Sequence, residues 1–174
     1  MSLLKGIAFV ALVVLADAQP AMAASFDPGV DAEIQEVVEK FRTSIINKDK
    51  ATFLSPFYSD NPGHVIWQSV VDDSRLARLR KMNPEERKAR RMPESNHLTL
   101  MDAITKPGAK PREEVFRNIV VDADGEIASV NFDYSYVADF KETNRRREMW
   151  HLVRTEAGWR IISVIFSVRD PASK

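Results

Sequence analysis

From Arg112 to Arg169 apolar and polar side chains alternate, whereas most of the chain before it carries apolar residues at spacings of three and four. Alternation sends successive side chains to opposite faces of a sheet, and the longer spacing gathers them on one stripe of a helix. The pattern predicts four successive antiparallel strands, Val115 to Val121, Ile127 to Asp139, Glu148 to Arg154 and Trp159 to Val168, which supply most of the core and the wall of any pocket. Asp122 to Gly125 and Thr155 to Gly158 read as hairpin turns, and Lys141 to Arg146 as a polar tip.

Ahead of the sheet, Ile34, Val37, Val38, Phe41 and Ile45 predict a long helix with one buried stripe. Asp49 is placed to cap a short helix carrying Phe53 and Leu54, which Pro56 limits. Tyr58 to Gly63 is a loop, and His64 to Val70 a strand expected at one edge of the sheet. Asp72 to Met92 sets eight basic residues against four acids and predicts two helices. Asp73 or Ser74 caps the first, and Asn83-Pro84-Glu85-Glu86 starts the second. Ser95 then caps a helix with Leu98, Met101 and Ile104 on its buried side.

Parity sorts the sheet into faces. Ala128, Val130, Phe132, Tyr134, Tyr136 and Ala138 share the apolar one, with Ser129, Asn131, Asp133, Ser135, Val137 and Asp139 opposite. Pairing Thr155 with Trp159 would add Trp150, Leu152, Ile162, Val164, Phe166 and Val168 to the apolar face, and Met149, His151, Val153, Ile161 and Ile165 to the other. With Trp159, Ile161 and Ile165 the second face is more apolar than an open sheet shows to water, so a second copy of the protein is expected to cover it.

The N-terminus stands apart from this folding argument. Lys5, an apolar run from Ile7 to Ala16 and Ala21-Met22-Ala23 form the three parts of a secretory signal peptide, with cleavage expected after Ala23. The run is about half the roughly 20 residues a membrane span needs, so no membrane anchor is expected. Residues 24–174 are then a single domain with a basic helical insertion at about 72–92. The absence of cysteine removes disulfides, thiolate chemistry and lipid attachment through an N-terminal Cys. The lack of Asn-x-Ser/Thr favours a periplasmic over a eukaryotic secretory destination. With 25 basic and 25 acidic residues there is no general attraction to nucleic acid or anionic membrane.

The order of a long helix, a short helix with FLSPFYSDNPGHVIW, and strands with FDYSYVADF and MWHLVRTEAGWRIISVIFSV resembles the nuclear transport factor 2-like, or SnoaL-like, superfamily over Asp31 to Val168. The pattern lies mainly in Trp150, Leu152, Val153, Gly158, Trp159 and Ile161. The resemblance implies an α+β fold, a cone-shaped, strongly bent antiparallel sheet packed against N-terminal helices, with a central pocket and commonly a homodimer formed through the sheet. It also implies enzymes and non-enzymatic binding modules alike, mostly without metal or cofactor.

The residues themselves narrow the chemistry further. His64, His97 and His151 fall on three separate elements and none has a His-x-x-x-His spacing, so no metal site is expected. No phosphate loop, Gly-x-Gly-x-x-Gly or Gly-x-Ser-x-Gly occurs, which leaves nucleotide cofactors and serine hydrolysis without support. If the tip pairs Ser135 with His151, Asp133 lies diagonally across from the imidazole and forms the best acid-base pair. Tyr58, Trp67, Tyr134 and Tyr136 offer apolar bodies with polar tips, suited to a small apolar or ring-shaped ligand, while Trp150 reads as core. The expected function is an exported small-molecule-binding or accessory domain. The alternatives are a cofactor-independent lyase, isomerase or hydrolase using Asp133 and His151, or an interaction module using Arg87, Lys88, Arg90 and Arg91. No aromatic residue is interleaved with those basic charges, so the segment reads first as a solvated helical pair.

Overall fold

The computed structural model describes residues 28–90 and 94–171. The signal-peptide reading of Met1 to Ala23 lies outside these residues, as do Arg91 and Met92 of the basic segment.

Helix α1 (Pro28–Asn47) buries the stripe its spacing predicts, with Ile34, Val38, Phe41 and Ile45 fully enclosed. Burying each such side chain stabilises the fold by about 2 kcal/mol. Lys48 takes a left-handed conformation (φ 57) that ends the helix, and Asp49 caps α2 (Lys50–Leu54) by accepting from the Thr52 amide at 3.0 Å. Phe41 is the hinge of the packing, its ring 4.8 Å from Phe53 on α2 and 4.7 Å from Trp150 on the sheet.

The sheet has six strands: β1 (Ile66–Val71), β2 (Ala89–Arg90), β3 (Arg112–Ala123), β4 (Ile127–Ala138), β5 (Lys141–Thr155) and β6 (Gly158–Val168), in the order β2-β1-β6-β5-β4-β3. β3 to β6 are the four successive antiparallel strands the alternation predicts. β1 runs parallel to β6 and is not the edge, because β2 pairs beyond it.

That short strand replaces the second helix expected in the basic segment. Helix α3 (Asp73–Arg80) forms, capped by Asp72 and not by Asp73 or Ser74, its carboxylate accepting from the Arg75 amide at 2.9 Å. Asn83 to Glu86 makes a turn, and Arg80 Nε donates to the Glu86 carbonyl at 3.0 Å. The chain thereby returns along β1, where the Val71 amide bonds Lys88, and strand pairing outweighs the helix-start signal. Helix α4 (His97–Thr105) is capped by Asn96 and not Ser95, through a reciprocal pair of bonds with Thr99.

Two hairpin turns correct the expected register. Asp139 and Phe140, both left-handed (φ 51 and 62), form the β4–β5 turn, so β5 starts at Lys141 and the expected polar tip is strand. Ser135 therefore faces Arg145, and His151 faces Ser129. In the next hairpin Thr155 pairs with Gly158, not with Trp159. Trp159 (2% exposed) and Ile161 (0%) turn into the core, and a bulge at Ile162 then restores Val164 to it. The outer face keeps Met149 and Ile165 but not the two large residues expected there.

Candidate functional site

A cavity of about 430 Å³ lies between the concave face of the sheet and the chain entering α4. Trp67 of β1, Phe166 of β6, and Tyr134 and Tyr136 of β4 supply its rings. Arg112 and Glu114 of β3, Asn144 and Glu148 of β5, and Glu94, Asn96 and Thr99 beside α4 supply its polar groups. Period-two alternation delivers the sheet residues: Tyr134 and Tyr136 continue the buried face of Val130 and Phe132.

Glu114 and Glu148 are the unusual pair. They are 5% and 3% exposed, hydrogen-bond each other, and have no basic partner in any salt bridge of the described residues. Trp150 Nε1 donates to Glu148 Oε1 at 2.6 Å. Burial pushes Glu148 up to about 7 against the opposing hydrogen bonds from Trp150 and Glu114. Glu114 goes well above the usual carboxylate range, through burial first and then the nearby charge of Glu148. Two enclosed carboxyls in contact cannot both ionise at neutral pH, so they share a proton. The indole N–H favours charge on Glu148, which makes Glu114 the proton carrier.

Around them, Arg112 Nη1 donates to the Tyr136 hydroxyl at 3.1 Å, and its buried Nε has no partner. The Tyr134 hydroxyl lies 3.0 Å from both Asn144 Oδ1 and the Ser167 carbonyl, which share its single O–H. Burial raises both phenols, so they act as neutral donors and acceptors.

Of the residues named from the sequence, Trp67, Tyr134 and Tyr136 face this cavity. Tyr58 does not: it is 54% exposed in the loop after α2. Trp150 is core, as expected. Asp133 and His151 are not brought together, because the Asp139-Phe140 turn places Asp133 opposite Arg147 and His151 opposite Ser129. Asp133 accepts from Asn118 Nδ2 at 2.8 Å, the main cause of its lowered pKa, and so braces the β3 bulge where Asn118 is left-handed. His151 Nδ1 lies 2.8 Å from Ser163 Oγ. Neither lines the cavity. Among the described residues no three His, Asp or Glu side chains gather as a metal-binding group.

No family model and no curated protein matches the sequence. Solved structures do match in shape. A nuclear transport factor 2-like protein of unknown function from Pseudomonas putida superposes with a TM-score of 0.59 at 11% identity, covering 84% of this chain and 92% of that one. A second, from Shewanella baltica, gives 0.56 at 17% identity, over 84% and 99% of the two chains. A third, from Novosphingobium aromaticivorans and described as having a cystatin-like fold, gives 0.53 at 14% identity, over 83% and 85%. The chain has the nuclear transport factor 2-like fold.

A second depression borders α3, β5 and the end of β6 and gathers Arg78, Lys88, Arg145, Arg147 and Arg169. Much of that charge is met within the chain. Asp170 pairs with Arg75 and Arg78, Asp72 with Arg169, and Asp73 with Lys88.

Proposed function

We propose that the protein is an exported small-molecule-binding domain whose central cavity takes a small ring-bearing ligand. The supporting observation is the cavity itself: about 430 Å³, with Trp67, Tyr134, Tyr136 and Phe166 in its wall and a few polar groups converging on it. That size and mixture are typical of ligand sites. The ligand is apolar where it meets the rings and polar where it meets Glu114 and Glu148. Export rests on the Met1 to Ala23 pattern. The test is native mass spectrometry of the protein from its own host, combined with NMR screening of ring-bearing fragments. A retained ligand, or fragment shifts centred on Trp67, Tyr134 and Tyr136, is the expected result, and shifts confined to other surfaces would refute the reading.

A second reading is favoured by the Glu114–Glu148 contact. A carboxylate beside its own conjugate acid, enclosed in a cavity, is equipped to take a proton from a substrate and return one, as a cofactor-independent lyase or isomerase requires. In that reading the proton-handling pair is Glu114 and Glu148 in place of Asp133 and His151. It requires Glu148→Gln to abolish turnover of a substrate that Asp133→Asn leaves untouched.

A further inference from the structure

We infer that the cavity selects a small organic cation, an amine carried on an aromatic or alicyclic body, with its ammonium group held by Glu114 and Glu148. This rests on the binding-domain reading above and specifies the ligand's charge.

Among the described residues, Glu94, Glu114 and Glu148 face the cavity against one guanidinium, that of Arg112, with no lysine or histidine in the lining. Arg112 stands opposite Ala138 at the end of β4, Glu114 opposite Tyr136, and Glu148 opposite Phe132 deeper in the sheet. Arg112 is partly engaged, donating to the Tyr136 hydroxyl with its guanidinium carbon 6.0 Å from that ring's centre, while its buried Nε has no partner.

Glu114 and Glu148 are almost wholly enclosed, yet among the described residues the hydrogen-bond partners of their carboxyls are each other and one indole N–H. Enclosed carboxylates are normally matched by a base, and their burial is costly without one. The free protein avoids that cost by keeping a proton on the pair. An ammonium group brings the missing positive charge and three N–H donors, enough for both carboxylates. The faces of Trp67, Tyr134 and Phe166 accept the ring and add cation–π attraction.

The exchange balances. The amine arrives as R–NH₃⁺, the pair passes from one carboxylic acid and one carboxylate to two carboxylates, and one proton leaves to solvent. The other groups facing the pair do not compete for that proton: Tyr134 and Tyr136 have raised pKa values, and Asn96, Thr99 and Asn144 do not titrate. Glu94, beside α4, adds a further acidic group to the lining.

The test compares 2-phenylethylamine with its neutral counterpart 2-phenylethanol by isothermal titration of the whole protein, in buffers of different ionisation enthalpy. The amine is expected to bind at least about tenfold tighter than the alcohol near pH 8, with the advantage shrinking toward pH 6 and a proton released on binding. Glu114→Gln and Glu148→Gln, checked for folding by circular dichroism, should each bring the ratio of amine to alcohol affinity down toward one. Equal affinity for amine and alcohol, or unchanged amine binding in the doubly substituted protein, overturns the cation inference and leaves the binding reading standing. If neither compound binds and no ring-bearing fragment shifts Trp67 or Tyr134, the binding reading itself is overturned and this inference with it.

Discussion

The indole of Trp150 donates to Glu148 at 2.6 Å, so a fully buried core residue holds one of the two acids of the cavity. The core and the polar floor of the cavity share one face of the sheet and are therefore one structure. Changes to either should be read through the other.

The pair should make stability fall as pH rises. Folding raises both carboxyls, Glu148 to about 7, so between the ordinary carboxylate range and that point the folded state holds protons the unfolded chain has lost. The pair's contribution must decline across that window and go on declining above it until Glu114 too has lost its proton. Asp49, Asp72, Asp124 and Asp133 are lowered by hydrogen bonds and act in the opposite sense below their ordinary range, while His97, lowered by burial, opposes the pair within the window itself. Thermal melts at a series of pH values check this, and Glu114→Gln with Glu148→Gln should flatten the decline.

Trp150→Phe keeps most of the packing and removes the donor. The loss of a hydrogen bond to a charged group should cost about 2 kcal/mol where Glu148 is ionised, and less where it is protonated. Denaturant unfolding at two pH values measures the difference. An equal loss at both would mean that the indole contributes packing alone.

Much of this fold was legible in the sequence because its periods are clean. The α1 stripe and the buried face of β4, from Ala128 through Tyr134, follow directly from spacing. Registers were less legible, since they depend on turns. Asp139 and Phe140 form a left-handed turn without glycine, so nothing local marks it, and the expected contact of Asp133 with His151 fails for that reason. The bulge at Ile162 is hidden because its neighbours are apolar on both faces. Glu148 did leave a trace, as an acid in line with Trp150 and Leu152. Glu114 left none, because only the bent sheet brings its carboxyl to Glu148.

Gly158→Ala tests the turn that sends Trp159 into the core. Gly158 has φ 92, where a Cβ is strained by roughly 1–2 kcal/mol. The added methyl would meet only the end of the Arg160 side chain, at 3.9 Å, so the penalty comes from the backbone and not from crowding. Equilibrium unfolding should show a loss of about that size with the cavity's ligand affinity unchanged.

Asp133→Ala and His151→Ala should leave cavity binding intact. Asp133 braces the β3 bulge and His151 contacts Ser163, both away from the cavity lining. Each substitution should cost no more than about 1 kcal/mol, as most changes at exposed positions do. A loss of fragment binding in either variant, with the melting curve unchanged, would return those residues to the site.

The homodimer reading predicts a specific sensitivity on the outer face of the sheet. Val120, Asn131, Met149 and Ile165 stand in one row across β3, β4, β5 and β6, each paired with the next. Val120, on the edge strand, is 59% exposed and Met149, on an inner strand, 41%, an unusual amount of apolar surface for one row of a sheet face. A stable dimer buries about 800 Å² on each partner, which four strands can provide only if this row lies near the centre. Met149→Lys places a charge there without touching the core or the cavity. Sedimentation velocity should show the wild-type protein as a dimer and the variant as a monomer with the same circular dichroism spectrum. A wild-type monomer at all concentrations, or a dimer unaffected by the lysine, would move the contact elsewhere or remove it.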